Sequence, residues 1–118
     1  MRSLACVLAF VALAGCVSAG EINKALTMNI APGMTREQVI SALGAPGSRS
    51  FRDNAEALQY CSTGYSSDEY TTVWLLDGKV TSLTQSLGRV AFGPCGGTYL
   101  PIDWGQAPPD IRIAIEQR

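Results

Sequence analysis

The side chains with the clearest capacity for covalent chemistry are four cysteines, Cys6, Cys16, Cys61 and Cys95. Thiolates act as nucleophiles, redox groups or metal ligands when a neighbouring base or cation activates them. The chain contains no histidine, which excludes Ser–His and Cys–His catalysis and the common zinc sites that include a His ligand. The cysteines are therefore expected to act outside such catalytic and zinc sites.

The charged residues indicate neither catalysis nor nucleic-acid binding. Nine Lys and Arg balance ten Asp and Glu, for a formal net charge of -1, whereas a nucleic-acid binder would show a basic stripe. Carboxylates in polar loops are mostly solvated surface charges. The notable acidic groupings are Asp68 with Glu69, and Asp103 with Asp110. We predict a protein that is not an enzyme, with no catalytic residue, cofactor, metal site or nucleic-acid partner.

The N-terminus has the pattern of an export signal. Arg2 precedes an uncharged apolar run over residues 4–15, which is shorter than the roughly 20 residues that a membrane-spanning helix needs. A basic start, a short apolar run and a small-residue end are typical of a secretory signal peptide. Residues 1–15 are therefore predicted to be a signal peptide, with a buried N-terminal helix as the alternative.

The end of the apolar run, Leu13-Ala14-Gly15-Cys16, resembles a bacterial lipobox. The resemblance implies a diacylglycerol on the Cys16 thiol, cleavage just before Cys16 and acylation of the new amino group, with palmitate as a typical chain. Two or more acyl chains anchor a protein stably. Val17 stands where an Asp would suggest inner-membrane retention, so an anchor at the periplasmic face of the outer membrane is implied. Cleavage after Ala19 would instead release a soluble periplasmic protein.

Cys61 and Cys95 are the thiols that remain once the signal is removed and Cys16 is acylated. Because the periplasm is oxidising, they are predicted to form a disulfide. Closing a loop of about 34 residues would contribute roughly 3–4 kcal/mol through chain entropy. The alternative is a redox or catalytic pair, but no Cys-x-x-Cys spacing supports it.

Two helices are predicted in the first half of the exported chain. Apolar spacing over residues 21–30 fits a short amphipathic helix. Residues 34–44 form the clearest element: Thr35 and Gln38 make a capping box, and Gly44 suits the left-handed position that ends a helix.

Strand signals follow these helices. We predict a short edge strand over residues 48–52, an alternating strand over 57–62, and a hairpin of 70–76 with 79–85. Residues 63–68 are predicted to form a loop. The hairpin turn places Leu75 opposite Val80 and Thr72 opposite Leu83. Both hairpin faces carry apolar residues, so the sequence leaves open which face meets the helices.

The C-terminal part has weaker signals. Residues 99–104 are predicted to be extended. After Pro108-Pro109, the residues Ile111, Ile113 and Ile115 alternate with less apolar ones. This alternation favours a terminal strand, and a tail that orders on contact with a partner is the alternative.

One motif runs from Ile30 to Pro46, and it combines Gly-Met-Thr, a polar segment with Val, and Leu-Gly-x-Pro. It resembles the signature of the SmpA/OmlA family, the BamE-like outer-membrane lipoproteins. Residues 73–83 resemble the second shared feature of that family, so the resemblance covers about residues 26–86. The motif positions are Gly33, Met34, Thr35, Val39, Leu43, Gly44 and Pro46. The Cys61–Cys95 pair and the segment after residue 87 depart from the family pattern.

The resemblance implies an α+β fold, with two N-terminal helices packed on a small antiparallel sheet of three to four strands, as in β-lactamase inhibitor proteins. It divides the chain into the signal peptide 1–15, a lipidated N-terminus and tether 16–25, a family domain 26–86 and a C-terminal extension 87–118. The implied function is a non-catalytic scaffold or accessory factor in β-barrel outer-membrane protein assembly or envelope integrity, with a protein partner in that machinery. The alternative is a periplasmic binding or inhibitor module of similar fold.

Aromatic side chains near irregular segments are the predicted partner contacts, since interfaces favour Tyr and Trp. They are Tyr65, Tyr70, Tyr99 and Trp104. The alternative is that each caps the small core.

Overall fold

The computed structural model of the chain describes residues 20–63, 68–87, 95, 99 and 101–116. In chain order the regular elements are a 3-10 helix Lys24–Asn29, helix α1 Arg36–Leu43, strands β1 Ser48–Arg52, β2 Ala55–Thr63, β3 Asp68–Leu76 and β4 Lys79–Leu87, a 3-10 turn Trp104–Gln106 and helix α2 Pro109–Glu116. Cys16, with the predicted signal and lipobox, and Tyr65 lie outside the described residues. Within the described part of the chain, no helix has both the length and the apolar character needed to span a membrane.

The four strands form one antiparallel sheet in the order β1-β2-β3-β4. The predicted edge strand 48–52 is confirmed, and the other strands extend beyond their predicted ends, so that Asp68 begins β3 instead of ending a loop. Asp77 and Gly78 both have positive φ, 52° and 78°, as the predicted two-residue hairpin turn requires.

The hairpin register agrees with the prediction only near the turn. Leu75 lies opposite Val80 as expected, but the register shifts between Trp74 and Leu75, so that Thr72 lies opposite Thr84 and not Leu83. The extra residue is on β4, where Trp74 and Leu75 pair with positions 82 and 80. A β-bulge of this kind is not visible in turn chemistry, which is why the sequence-based register was wrong beyond it.

Helix α1 packs on one face of the sheet. Its predicted capping box is present: the Thr35 hydroxyl accepts from the Gln38 N–H, and the Gln38 side chain accepts from the Thr35 N–H. Helix α1 and the segments flanking the first 3-10 helix bury this face. The buried cluster comprises Ile22, Ile30, Val39, Leu43, Leu58, Tyr60, Val73, Leu75 and Val80.

The predicted pair of N-terminal helices is wrong. The first of them is a six-residue 3-10 helix, Lys24–Asn29, in which the Thr27 hydroxyl donates to the Lys24 carbonyl. Its apolar residues are not the ones that pack: Met28 is 87% exposed, while Ile22 and Ile30, which flank the helix, are buried. A single 3-10 helix of this length is typical of a connector.

The second α-helix lies at the other end of the chain. Residues 109–116 form α2, where alternation of Ile111, Ile113 and Ile115 predicted a strand. Pro109 stands at the first helical position, where a missing N–H costs nothing, and Asp110 lies in the first turn, where a negative charge is favoured. α2 packs on the sheet face opposite α1, with Ile111 in a cluster that includes Ala57 and Trp74. Both hairpin faces are therefore covered.

Glu56 joins three elements beneath α1. It is 4% exposed, and its two carboxylate oxygens accept from Arg36 Nε at 3.0 Å and from Arg49 Nη2 at 3.1 Å. The buried charge depends on these partners, because a carboxylate left unpaired in a low-dielectric site is costly.

Removing both arginines should therefore destabilise the protein more than removing the whole triad. We expect Arg36→Met with Arg49→Met to lower the free energy of unfolding by about 2 kcal/mol, and the further change Glu56→Leu to restore most of it. Urea denaturation of the double and triple variants measures the difference. Equal stability of the two variants would contradict a charge-pairing role for the arginines.

Tyr60 ties β2 to the end of α1. Its hydroxyl donates to the Gly44 carbonyl at 2.7 Å, and burial raises the pKa of Tyr60 from 10.0 to about 12, against the opposing charge of Arg49. Gly44, one of the motif residues, has φ of 82°, so its left-handed conformation presents this carbonyl.

The raised pKa of Tyr60 predicts a stability loss in alkali. Tyrosine in the unfolded chain loses its proton near pH 10, while the folded state retains it until about pH 12, so the free energy of unfolding should fall as pH rises between these values. We expect Tyr60→Phe to cost about 1 kcal/mol at pH 7 through the lost hydrogen bond. In denaturant titrations between pH 8 and 11.5, the free energy of unfolding should also fall less with rising pH in the variant than in the wild type. An identical decline would exclude Tyr60 as its source.

Candidate functional site

A row of polar side chains crosses the sheet on the face opposite α1. The pairing registers place Ser48 opposite Gln59, Gln59 opposite Thr72, and Thr72 opposite Thr84. Gln59 and Thr72 are buried, at 4% and 8% exposure. We call Ser48, Gln59, Thr72 and Thr84 the polar row. It lies between two apolar regions of the same face.

The chain after β4 is attached to this face on both sides of the polar row. On one side Cys95 is bonded to Cys61 of β2, and Tyr99 meets Tyr70 edge to face with 5.9 Å between ring centroids. On the other side Trp104 meets Trp74 edge to face at 5.4 Å. The predicted disulfide is thus present, and it bonds Cys95 to β2 on this face of the sheet.

Further apolar contacts hold the second attachment in place. Ala107 and Ile111, at 3% and 0% exposure, pack with Ala55, Ala57 and Trp74. The Trp104 indole N–H donates to the Ser50 hydroxyl at 3.1 Å.

A cleft of about 220 Å³ lies between the polar row and the overlying chain. Its floor comes from β2, β3 and β4, and its roof from the segment just before the Trp104 turn. The lining residues are Gln59, Thr72, Trp74, Thr84, Gln85, Ser86, Pro101, Ile102, Asp103 and Gln106. We call this space the polar cleft.

Among the described residues, the lining of the polar cleft offers hydrogen-bond acceptors and one charged side chain, Asp103. The Gln59 Oε1 atom is buried and accepts no hydrogen bond from the described residues. Asp103 Oδ1 accepts from the Gly105 N–H at 2.9 Å, which caps the Trp104 turn and fixes the carboxylate at the roof. Trp74 donates its indole N–H to Thr84 Oγ1 at 2.8 Å. Such a lining can bind a polar group by hydrogen bonds and charge.

A second group of potential ligands surrounds the disulfide. The sulfurs of Cys61 and Cys95 and a carboxylate oxygen of Asp68 all lie within 4.8 Å of one another. Asp68 is 4% exposed, and its Oδ1 has no hydrogen-bond partner among the described residues. Because metal binding by cysteine requires thiolates, this group suits a metal ion only after the disulfide is reduced.

The predicted partner aromatics occupy different environments. Tyr70 is 8% exposed and Tyr99 is half-buried beside it, while Trp104 is half-buried against Trp74. Tyr65 is outside the described residues. These positions agree with packing roles around the polar cleft, and a contact with a partner stays a prediction for each.

The predicted motif residues build the junction between α1 and the hairpin. Gly33 N–H donates to the Val80 carbonyl and Val80 N–H to the Met34 carbonyl, both at 2.8 Å. Gly33 has φ of 90°, which favours glycine. Val39 and Leu43 are buried, and Pro46 follows the end of α1. The motif therefore contributes to the fold and lies away from the polar cleft.

Sequence reasoning did not identify the polar cleft. The available signal was Gln59 and Thr72, polar residues at alternate positions of β-rich segments, which predicts a shared polar face once the strands are paired. Gln106 and Asp103 carried no such signal, because they lie outside the strands, at the Trp104 turn.

No protein-family model and no curated protein matches this chain.

Proposed function

We propose that the protein is exported and held by an acylated Cys16 at the periplasmic face of the outer membrane. There it acts as a non-catalytic scaffold or accessory factor in β-barrel outer-membrane protein assembly or envelope integrity. The anchor rests on the lipobox-like Leu13-Ala14-Gly15-Cys16, and the assembly role on the resemblance to the SmpA/OmlA family.

The observation that carries the proposal is the buried disulfide. Cys61 and Cys95 are 0% and 1% exposed, and their bond joins β2 to the chain that overlies the sheet. Structural disulfides persist in oxidising compartments and are rare in the cytosol. The bond therefore supports an exported location, in agreement with the signal-like N-terminus.

The junction built by the motif also supports the proposal. Gly33, Met34 and Val80 are joined by two backbone hydrogen bonds, so the two features that suggest the family lie together in space. The fold departs from the expected family layout at the first 3-10 helix and at α2.

Mass spectrometry of the mature N-terminus tests the anchor. We expect a peptide that begins at an acylated Cys16, and we expect Cys16→Ser to abolish both acylation and recovery in the outer-membrane fraction. Cys6→Ala is the matched control, because it removes a thiol from the apolar run without touching the lipobox. A free Gly20 N-terminus would overturn lipidation.

The assembly role has a separate test. The protein should co-purify with a barrel-insertion protein after mild crosslinking, and its deletion should lower the levels of β-barrel proteins in the outer membrane. The Cys16→Ser variant should fail to restore those levels. Unchanged barrel levels in the deletion strain, with no co-purification, would refute the role and leave the anchor result intact.

A further inference from the structure

We propose that the polar cleft binds a guanidinium group, supplied either by a small molecule or by an arginine side chain of a peptide. The inference goes beyond membrane anchoring and assembly and does not depend on either. It rests on an unpaired buried acceptor, the charge of the lining, and the size and rigidity of the space.

The unpaired acceptor is Gln59 Oε1. Gln59 is 4% exposed and lies in the polar row on the cleft floor, and Oε1 accepts no hydrogen bond from the described residues. Buried polar atoms in folded proteins are nearly always paired, and each exception calls for an explanation. A ligand that brings N–H donors would satisfy this oxygen.

The charge of the lining favours a cation. Asp103 is the single ionised side chain among the described lining residues, and none of them is Lys or Arg. Arg52 and Arg112 line a different depression with Trp104. Asp103 and the hydroxyl and amide groups of the floor therefore line one space, with no Lys or Arg among the described residues that line it.

A guanidinium matches this arrangement better than a compact ammonium. It is planar and presents several N–H donors in a fixed geometry that suits carboxylate oxygens. Its donors suit both kinds of acceptor in the lining, the amide oxygen of Gln59 and the carboxylate of Asp103. Trp74 lines the same space, and guanidinium groups also interact favourably with indole rings.

The size and the roof fit a single head group. A cleft of about 220 Å³ is smaller than the roughly 300–1,000 Å³ of sites for drug-sized ligands. The roof is fixed on one side by the Cys61–Cys95 bond and on the other by Ile111 of α2. A preformed site loses less free energy in ordering when the ligand binds.

The test uses the indole N–H signals of the exported, purified protein in ¹H–¹⁵N NMR spectra. The chain has two tryptophans, and Trp104→Phe assigns their signals. The probes are methylguanidinium, its neutral isostere methylurea, methylammonium and the tripeptide Gly-Arg-Gly. We expect methylguanidinium to shift the Trp74 signal, because this indole donates a hydrogen bond to Thr84 of the cleft floor. Methylurea at the same concentration should leave the signal unchanged.

Variants locate the binding site. Asp103→Asn retains an oxygen for the Gly105 cap and removes the charge, so we expect methylguanidinium affinity to fall about three- to tenfold. Gln59→Leu should lower it by about threefold or more. The matched control is Asp110→Asn, which removes an exposed charge from α2 outside the cleft lining and should leave affinity unchanged.

The outcomes separate the possible ligands. Stronger binding of Gly-Arg-Gly than of methylguanidinium indicates a peptide arginine, and the reverse indicates a small guanidine. Equal shifts with methylurea, a stronger effect of methylammonium, no shift with any probe up to about 50 mM, or equal affinity in Asp103→Asn would each overturn the proposal. A thermal melt of Gln59→Leu establishes whether this variant is folded. If it is not folded, the methylguanidinium affinity of Asp103→Asn tests the proposal by itself.

Discussion

Loss of the Cys61–Cys95 disulfide is expected to lower the free energy of unfolding by about 3–4 kcal/mol. The bond closes a loop with a sequence separation of 34, and cross-linking a loop of that length removes a corresponding amount of chain entropy from the unfolded state. In a domain of this size, each 1 kcal/mol corresponds to roughly 4–8 °C in Tm. The melting temperature should therefore fall by roughly 12–30 °C.

Thermal and urea denaturation of Cys61→Ala with Cys95→Ala measure this loss. The wild type under strong reductant should approach the double variant slowly, because both sulfurs are buried and reductant reaches them only when the segment opens. Ser41→Ala serves as the control, since it makes a small change at an exposed position of α1 that takes no part in the bond. A double variant with wild-type stability would mean that the tyrosine and tryptophan contacts alone hold the segment.

Loss of the disulfide should also loosen the roof of the polar cleft, and this effect can be measured separately from the loss of stability. The roof residues follow Cys95 in the chain and are tied again at Trp104 and Ile111. With the bond removed, amide hydrogen exchange should increase around Asp103 and Gln106 before it increases in β2 and β3. Uniform acceleration across the domain would show that the segment and the sheet open as one cooperative unit.

The elements that the sequence predicted well are those encoded by short-range chemistry. The capping box of Thr35 and Gln38 and the Asp77-Gly78 turn are each specified by residues within a few positions of one another, and both are present. The Leu75–Val80 pair follows directly from that turn. Signals of this kind are local, so tertiary packing had little to change.

The elements that the sequence predicted wrongly depend on contacts between distant segments. Alternation of Ile111, Ile113 and Ile115 also fits a helix, since an i, i+4 pair lies on one helical face. Pro109, the first residue of α2, is a helix start signal that the prediction did not use. For the first 3-10 helix, apolar spacing suggested an amphipathic α-helix, but packing buries the flanking Ile22 and Ile30 instead.

The polar cleft was unpredictable for the same reason. Its floor requires the register of β2, β3 and β4, and the bulge between Trp74 and Leu75 decides that Thr84 joins the polar row. Its roof lies in the chain between the predicted disulfide and the unpredicted α2. A one-residue slip would move Thr84 to the α1 face, so a local sequence pattern is insufficient to place it.

Ile111 and Ile113 provide the sharpest test of α2, because the helix places them in opposite environments. Ile111 is fully buried against Ala57 and Trp74, whereas Ile113 is 52% exposed. We expect Ile111→Ala to lower the free energy of unfolding by about 3 kcal/mol, through lost burial and the cavity left behind. Ile113→Ala should be neutral or slightly stabilising, since Ala has the higher helix propensity.

A strand at this position would give a different result. Ile111, Ile113 and Ile115 would then share one face, so Ile111→Ala and Ile113→Ala would have similar costs in urea denaturation. Because Ile111 also secures the roof of the polar cleft, its replacement should weaken methylguanidinium binding, while Ile113→Ala should preserve it. Equal stability losses in the two variants would refute the helix, and intact binding in Ile111→Ala would show that the disulfide side of the roof is sufficient.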